Sequence, residues 1–190
     1  MIKALVDAEI DGTGEGLNGK KINSDRVVVG GFSQGGAIAL LSGLTKSPAV
    51  GGIIAMSTWL PLRAKLVAPL LPDHASTLPV FMAHGTADPI VKYSYGERSA
   101  KFIRAGDGGG AGLGLGPFRK GENGKWRGVW TEAYQGMPHS ACPEEVSGDY
   151  QTCECSTYVH YGLIPSFVHL ARSNTWDNSW RKLSQRYRIE

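Results

Sequence analysis

Residues Gly31-Phe32-Ser33-Gln34-Gly35 form a G-x-S-x-G pattern, which sets one serine hydroxyl between two glycines. In a chain with 26 glycines the pattern alone is weak, and it acquires meaning only from its surroundings. A β-branched run at 27–29 leads straight into it, and a run with helical character at 37–44 leads straight out. A nucleophilic serine needs that layout. A sharp, strained turn lifts the hydroxyl above a sheet edge, and glycines on either side avoid collision between strand and helix. The helix N-terminus then aims backbone N–H groups at the reacting carbonyl. The plain alternative is a glycine-rich structural turn.

A serine hydroxyl is a weak nucleophile. It needs a base, and the base needs an orienting carboxylate. On a sheet of this kind the partners follow in the order serine, acid, histidine, each just past a strand end. The apolar run PVFMAH ends in His84-Gly85-Thr86-Ala87-Asp88-Pro89, and GVWTEAY ends in Gln135-Gly136-Met137-Pro138-His139-Ser140. Topology therefore selects Asp88 as the acid and His139 as the base for Ser33. The rivals read differently. His84 lies at a strand end before a glycine and is expected to be buried and hydrogen-bonded. His74, His160 and His169 read as solvated or packed, and Asp73 falls at the wrong end of the sheet.

Positioning these residues requires alternating elements. Residues 2–10 have Ile2, Leu5, Val6 and Ile10 on one helical face, with the acids pointing away. Buried strands are expected at 26–31, 51–57, 79–84 and 128–134, and helices at 37–44 and 92–105. Strands alternating with helices predict an α/β fold, a mostly parallel sheet with flanking helices. Residues 106–126 read as a Gly-rich loop insertion within a domain spanning 1–142. Residues 143–190 form a tail with no clear period and no expected regular structure.

Composition narrows the function classes. The chain has 190 residues, 42% of them hydrophobic and 19% charged, which suits one packed domain. A net charge of +3 carries no nucleic-acid footprint. The apolar stretch 50–62 is too short to span a bilayer. Three cysteines, two of them at 153 and 155, offer neither a closed disulfide set nor a zinc spacing. No metal and no cofactor is expected, and a reduced, intracellular chain is. The spacings within 106–116 that mimic G-x-G-x-x-G follow no strand, and Ser179 to Lys182 matches S-x-x-K by chance. Arg181, Lys182, Arg186 and Arg188 read as a solvated terminus.

The segments IKALVDAEI, DRVVVGGFSQGGAIAL, GGIIAMSTWLPL, PVFMAHGTADPIV and YQGMPHSAC together resemble, over about residues 2–142, the acyl-protein thioesterase family. That family is a phospholipase/carboxylesterase branch of the α/β-hydrolases. The resemblance implies a cytoplasmic, and also nuclear, serine hydrolase that removes palmitoyl groups from protein cysteines. Its substrates would be S-palmitoylated proteins or small acyl esters, with no nucleic acid and no stable membrane insertion. Carried over by position, Ser33, Asp88 and His139 are catalytic, Gln34 supplies one oxyanion N–H, and Trp59 and Leu60 fall beside the acyl groove. Three departures stand out. Strands upstream of the nucleophile, with a second oxyanion donor, are expected to be missing, which would leave the strand before Ser33 with an open edge. The 106–126 connection is long, and no amphipathic closing helix is read after Cys142. Two alternatives stay open: a carboxylesterase or lysophospholipase of the same branch, and a non-catalytic truncated fragment.

Overall fold

The computed structural model describes residues 2–14, 17–45, 49–66, 73–105, 112–122, 124–140, 158–163 and 166–172. The three cysteines, the basic cluster and the S-x-x-K match lie outside them, as do residues 106–111 of the glycine-rich run.

Continuous apolar runs bounded by glycine and proline become the central strands, and the stretches between them become helices. Helix α1 is Ile2–Asp11, strand β1 Val27–Phe32, helix α2 Gln34–Leu44 and strand β2 Gly52–Met56. Strand β3 is Pro79–Gly85, followed by helix α3 Tyr93–Arg104, strand β4 Arg119–Lys120 and strand β5 Trp126–Tyr134. Strands β6 Tyr158–Leu163 and β7 Ser166–Arg172 complete the set. They form one sheet in the order β4-β5-β3-β2-β1-β7-β6. Strands β1, β2, β3 and β5 are mutually parallel, while β4, β7 and β6 pair antiparallel at the flanks.

Alternation along the parallel strands divides the apolar residues between two clusters. Val27, Val29, Ile53, Ala55, Val80, Met82 and Val129 join residues of α1, α2 and α3 in the larger one. Ile54, Met56, Phe81, Ala83, Trp130 and Tyr134 belong to the smaller, where the Phe118 and Trp126 rings stack at 5.0 Å. Val27, Ile53, Val80 and Val129 are fully enclosed, each contributing about 1.5–3 kcal/mol through removal of apolar surface from water. Helix α3 is tied to β5 through Arg104, whose guanidinium donates to Val129 O and Thr131 Oγ1.

Three expectations need correction. The edge of β1 is not open: β7 pairs with it from Val27↔Arg172 to Gly31↔Val168. An apolar strand with unpaired N–H and C=O groups is unfavourable, and the chain's own hairpin satisfies them. It follows that 158–163 and 166–172, inside the tail expected to lack regular structure, are strands. Glu9 does not point away with the other acids but is buried, because the segment after α1 folds over it, with Gly14 against its carboxylate. Finally, the 106–126 stretch is more than a loop. Leu113 and Leu115 donate backbone N–H bonds to Phe102 O and Ile103 O, Leu115 enters the core, and β4 extends the sheet beside β5.

Candidate active site

Strand β1 ends at Phe32 and the chain turns at the next residue. Ser33 has φ 54° and ψ −122°, a left-handed backbone that costs about 1–3 kcal/mol and persists only where its surroundings impose it. Those surroundings are specific. The Ser33 N–H donates to Met56 O at 2.9 Å, and its carbonyl accepts from the Ala37 N–H at 3.1 Å and from Thr58 Oγ1 at 2.6 Å. Gly31 permits the close approach of strand and helix. A Cβ there would lie 2.5 Å from Gly35 O and 2.7 Å from Gly36 N, closer than packed atoms tolerate.

Strands β3 and β5 are parallel neighbours, so their C-terminal loops leave the sheet at the edge where Ser33 stands. Thr86 N–H donates to Tyr134 O and Ala87 N–H to Met137 O, at 2.9 and 3.2 Å, while Gly136 N–H donates to Thr86 Oγ1 at 2.8 Å. These bonds lace the two loops together. Gly85 makes room, since a Cβ on it would collide with Met137 O and lie 2.9 Å from Pro138 O. The lacing brings Asp88 and His139 into contact.

His139 Nδ1 lies 2.7 Å from Asp88 Oδ2, and its Nε2 lies 3.0 Å from Ser33 Oγ. An ionised carboxylate only accepts, so Nδ1 carries the proton and donates to it. The bare Nε2 then accepts from the Ser33 hydroxyl. The Phe32 ring packs on the imidazole, centroids 4.8 Å apart. The other Asp88 oxygen, Oδ1, accepts the Ile90 and Val91 N–H groups, each at 2.8 Å. Burial, the largest single influence, pushes the Asp88 carboxyl up. It is outweighed by the His139 hydrogen bond, the two backbone amides and the His139 charge, so the carboxyl sits below its ordinary value. Asp88 is thus held ionised, the imidazole is held in one tautomer, and a serine hydroxyl points at a free ring nitrogen. This geometry can move a proton off Ser33 and hold it on His139.

The remaining expected residues fall as follows. Gln34 is exposed and opens α2 directly after Ser33. Trp59 is half-buried. Leu60 is 4% exposed and packs into the main core, while its N–H donates to Ser99 Oγ of α3 at 2.9 Å. His84 is buried, with Nε2 2.8 Å from Val91 O. Asp73 opens a short helix just before β3, away from the site. His160 lies on β6 and His169 on β7. Sequence reasoning missed Thr58. The S-x-W-L-P-L segment was its only signal, and nothing local marks its hydroxyl as the support of the Ser33 carbonyl. Among the described residues, three large apolar ones are exposed: Leu62, Ile90 and Tyr95. Leu62 and Ile90 belong to the loops that leave β2 and β3 at the Ser33 edge, and Tyr95 lies in the first turn of α3, which follows the second of these loops. Among the described residues, no group of three or more His, Cys, Asp or Glu converges as metal ligands would.

Residues 1–107, more than half of the chain, match the phospholipase/carboxylesterase family. The chain belongs to that family. The match includes Ser33 and Asp88 and stops before His139. Among curated relatives of this phospholipase/carboxylesterase chain, acyl-protein thioesterase 1 of Mycosarcoma maydis is 51% identical over 145 residues, which cover 76% of this chain and 54% of that protein. Acyl-protein thioesterase 1 of Cryptococcus neoformans (strain JEC21) is 39% identical over 145 residues, 76% of this chain and 55% of that one. The chain spans about half the length of these relatives. The crystal structure of Arabidopsis thaliana SOBER1 superposes with a TM-score of 0.58 at 26% identity, over 77% of this chain and 57% of that one. Fold and family thus agree on an α/β-hydrolase sheet.

Proposed function

We propose that the chain carries the reacting centre of a serine hydrolase that cleaves palmitoyl thioesters from protein cysteines. The observation that supports this best is the continuous line from Ser33 Oγ through His139 to Asp88, at 3.0 and 2.7 Å. Ser33 Oγ attacks the thioester carbonyl while His139 Nε2 takes its proton. Asp88 keeps the Nδ1–H in place and stabilises the imidazolium. The tetrahedral oxyanion leans on the Gln34 N–H at the start of α2. As the C–S bond breaks, the cysteine sulfur leaves with the proton that His139 holds. Water then gives a proton to His139 and its oxygen to the acyl-serine, the proton returns to Ser33, and the fatty acid is released.

The exposed side chains of Leu62, Ile90 and Tyr95, with half-buried Trp59, give the Ser33 edge apolar surface that suits a long acyl chain. Leu60 supports this rim from within the core. No helix among the described residues is long and apolar enough to cross a membrane. In this reading the acyl chain is met on an acylated protein in the cytoplasm or nucleus. The family's description favours a second reading, hydrolysis of lysophospholipids or small carboxylic esters. One experiment separates them. The chain and its Ser33→Ala variant are given a palmitoyl-cysteine peptide, a lysophospholipid and a p-nitrophenyl ester at matched concentrations. Preference for the thioester supports the first reading and preference for an oxyester the second. Equal turnover by Ser33→Ala, or labelling of another residue by a fluorophosphonate, removes the nucleophile assignment.

A further inference from the structure

His84 stands at the end of β3, four residues before Asp88, and is 5% exposed. Its Nε2 faces two oxygens: Val91 O at 2.8 Å and Asp88 Oδ2 at 3.3 Å. A carbonyl and an ionised carboxylate are both acceptors, so a bare nitrogen lone pair there would be repelled by each. The proton therefore sits on Nε2 and is donated to Val91 O, with Asp88 Oδ2 alongside it. The rest of the ring is fixed by packing. Tyr93 meets it edge-on, with centroids 5.8 Å apart, and its Nδ1 side lies so close to α3 that a Cβ on Gly96 would collide with it. A ring held this firmly is a fixed donor.

We propose that His84 is a positioning residue for the acid, acting through Asp88 on His139. The inference rests on the triad reading above. The Asp88 carboxylate accepts three N–H hydrogen bonds, from Ile90 and Val91 on Oδ1 and from His139 on Oδ2, and His84 Nε2 stands 3.3 Å from Oδ2 as a fourth, electrostatic contact. Three hydrogen bonds and this polar contact surround the carboxylate on both oxygens. The group is held against rotation, and its Oδ2 stands between the base and a second histidine. The same Nε2–H binds Val91 O, the carbonyl of a residue whose own N–H holds Oδ1. His84 therefore closes a ring of contacts from the strand end, across the 88–91 turn, and back to the acid. The His84 donor draws electron density from Oδ2 and tempers its pull on the His139 Nδ1 proton. The charged and titratable groups around this unit are Asp88 and His139, with Tyr93 on the far face of His84.

Removing the donor leaves Oδ2 more basic, so it grips the His139 proton more strongly and stabilises the imidazolium. Without that contact the carboxylate can also turn away from His139 Nδ1, and the loss of alignment outweighs the stronger pull, so His84→Phe should lower kcat roughly tenfold. KM should stay unchanged, since His84 touches no substrate. The acid limb of the kcat/KM profile should move to higher pH. His84→Gln, which can present an amide N–H near the Nε2 position, should recover most of the rate and the wild-type limb.

The deciding measurement is independent of turnover. Nitrogen-15 NMR of histidine-labelled chain should show His84 as the neutral Nε2–H tautomer. The His139 Nδ1 proton resonance should move downfield in His84→Phe and stay in place in His84→Gln. An Nδ1–H tautomer for His84 in the wild-type chain overturns the proposal even if His84→Phe does not fold. An unmoved His139 resonance in a folded His84→Phe overturns it too. Full turnover by Ser33→Ala alongside the expected resonances would instead sink the triad reading and leave the His84 contact standing.

Discussion

A single added methyl group at Gly85 tests whether loop packing, and not only residue identity, creates the site. In Gly85→Ala the new Cβ would collide with Met137 O and stand 2.8 Å from the Met137 carbonyl carbon and 2.9 Å from Pro138 O. All three are backbone atoms and cannot rotate out of the way. Ordinary contacts lie near 3.5–4 Å, so the 137–138 backbone must retreat by roughly 1 Å. His139 follows directly, and its Nε2 to Ser33 Oγ contact of 3.0 Å opens beyond hydrogen-bond range. A displacement of that size costs about 10²-fold in rate. The overpacking itself costs about 1–3 kcal/mol of stability, so the chain stays folded while activity is lost. Gly136→Ala is the control. It sits in the same loop with φ +73°, and a Cβ there meets nothing within 4 Å, so it strains only its own backbone. The assay is ester hydrolysis and fluorophosphonate labelling of Ser33, with thermal melts of all three proteins. A folded Gly85→Ala that reacts within threefold of the parent would refute the argument that the Gly85 approach positions His139.

The pH dependence follows from Asp88. Its carboxyl is held below the ordinary value, so its stabilisation is complete above the unfolded carboxylate's pKa and is lost as pH falls through the folded one. Denaturant titrations should show that acid-side loss in the parent and not in Asp88→Asn, which should also lose activity by about 10³–10⁴. Thr58→Val removes the bond to Ser33 O and should cost about 1 kcal/mol together with a lower kcat, read by urea melts and initial rates. Leu170→Pro removes a backbone donor from β7, an interior strand, and should cost about 3 kcal/mol or more, seen as aggregation on size exclusion.

The central strands were legible because Val27, Ile53, Val80 and Val129 and their neighbours form dense apolar runs between turn residues. Topology then placed Asp88 and His139 without any knowledge of distance. Strand β7 was not legible for a different reason. SFVHLAR is weakly patterned, and its role is to satisfy the backbone of a strand far away in the chain, which local periodicity does not encode. Glu9 was misread because helical periodicity describes one helix and not the glycine-rich segment that folds over it. Ser33, Asp88 and His139 were marked by their places just after strand ends. Thr58, which meets Ser33 O, and His84, which meets Val91 O and Asp88 Oδ2, stand in contacts that local sequence does not mark.

The pairing of β1 with β7 also orders events in time. Val27–Phe32 is made well over a hundred residues before its partner Ser166–Arg172. At about 5–20 residues per second, the strand that leads into Ser33 waits roughly 7–30 s of synthesis for the segment that seals its flank. Parallel pairing with β2 can form sooner, but the other side stays available to any passing strand. Nascent chains are therefore most vulnerable to misassociation during that interval, and slower translation between β5 and β6 would lengthen it.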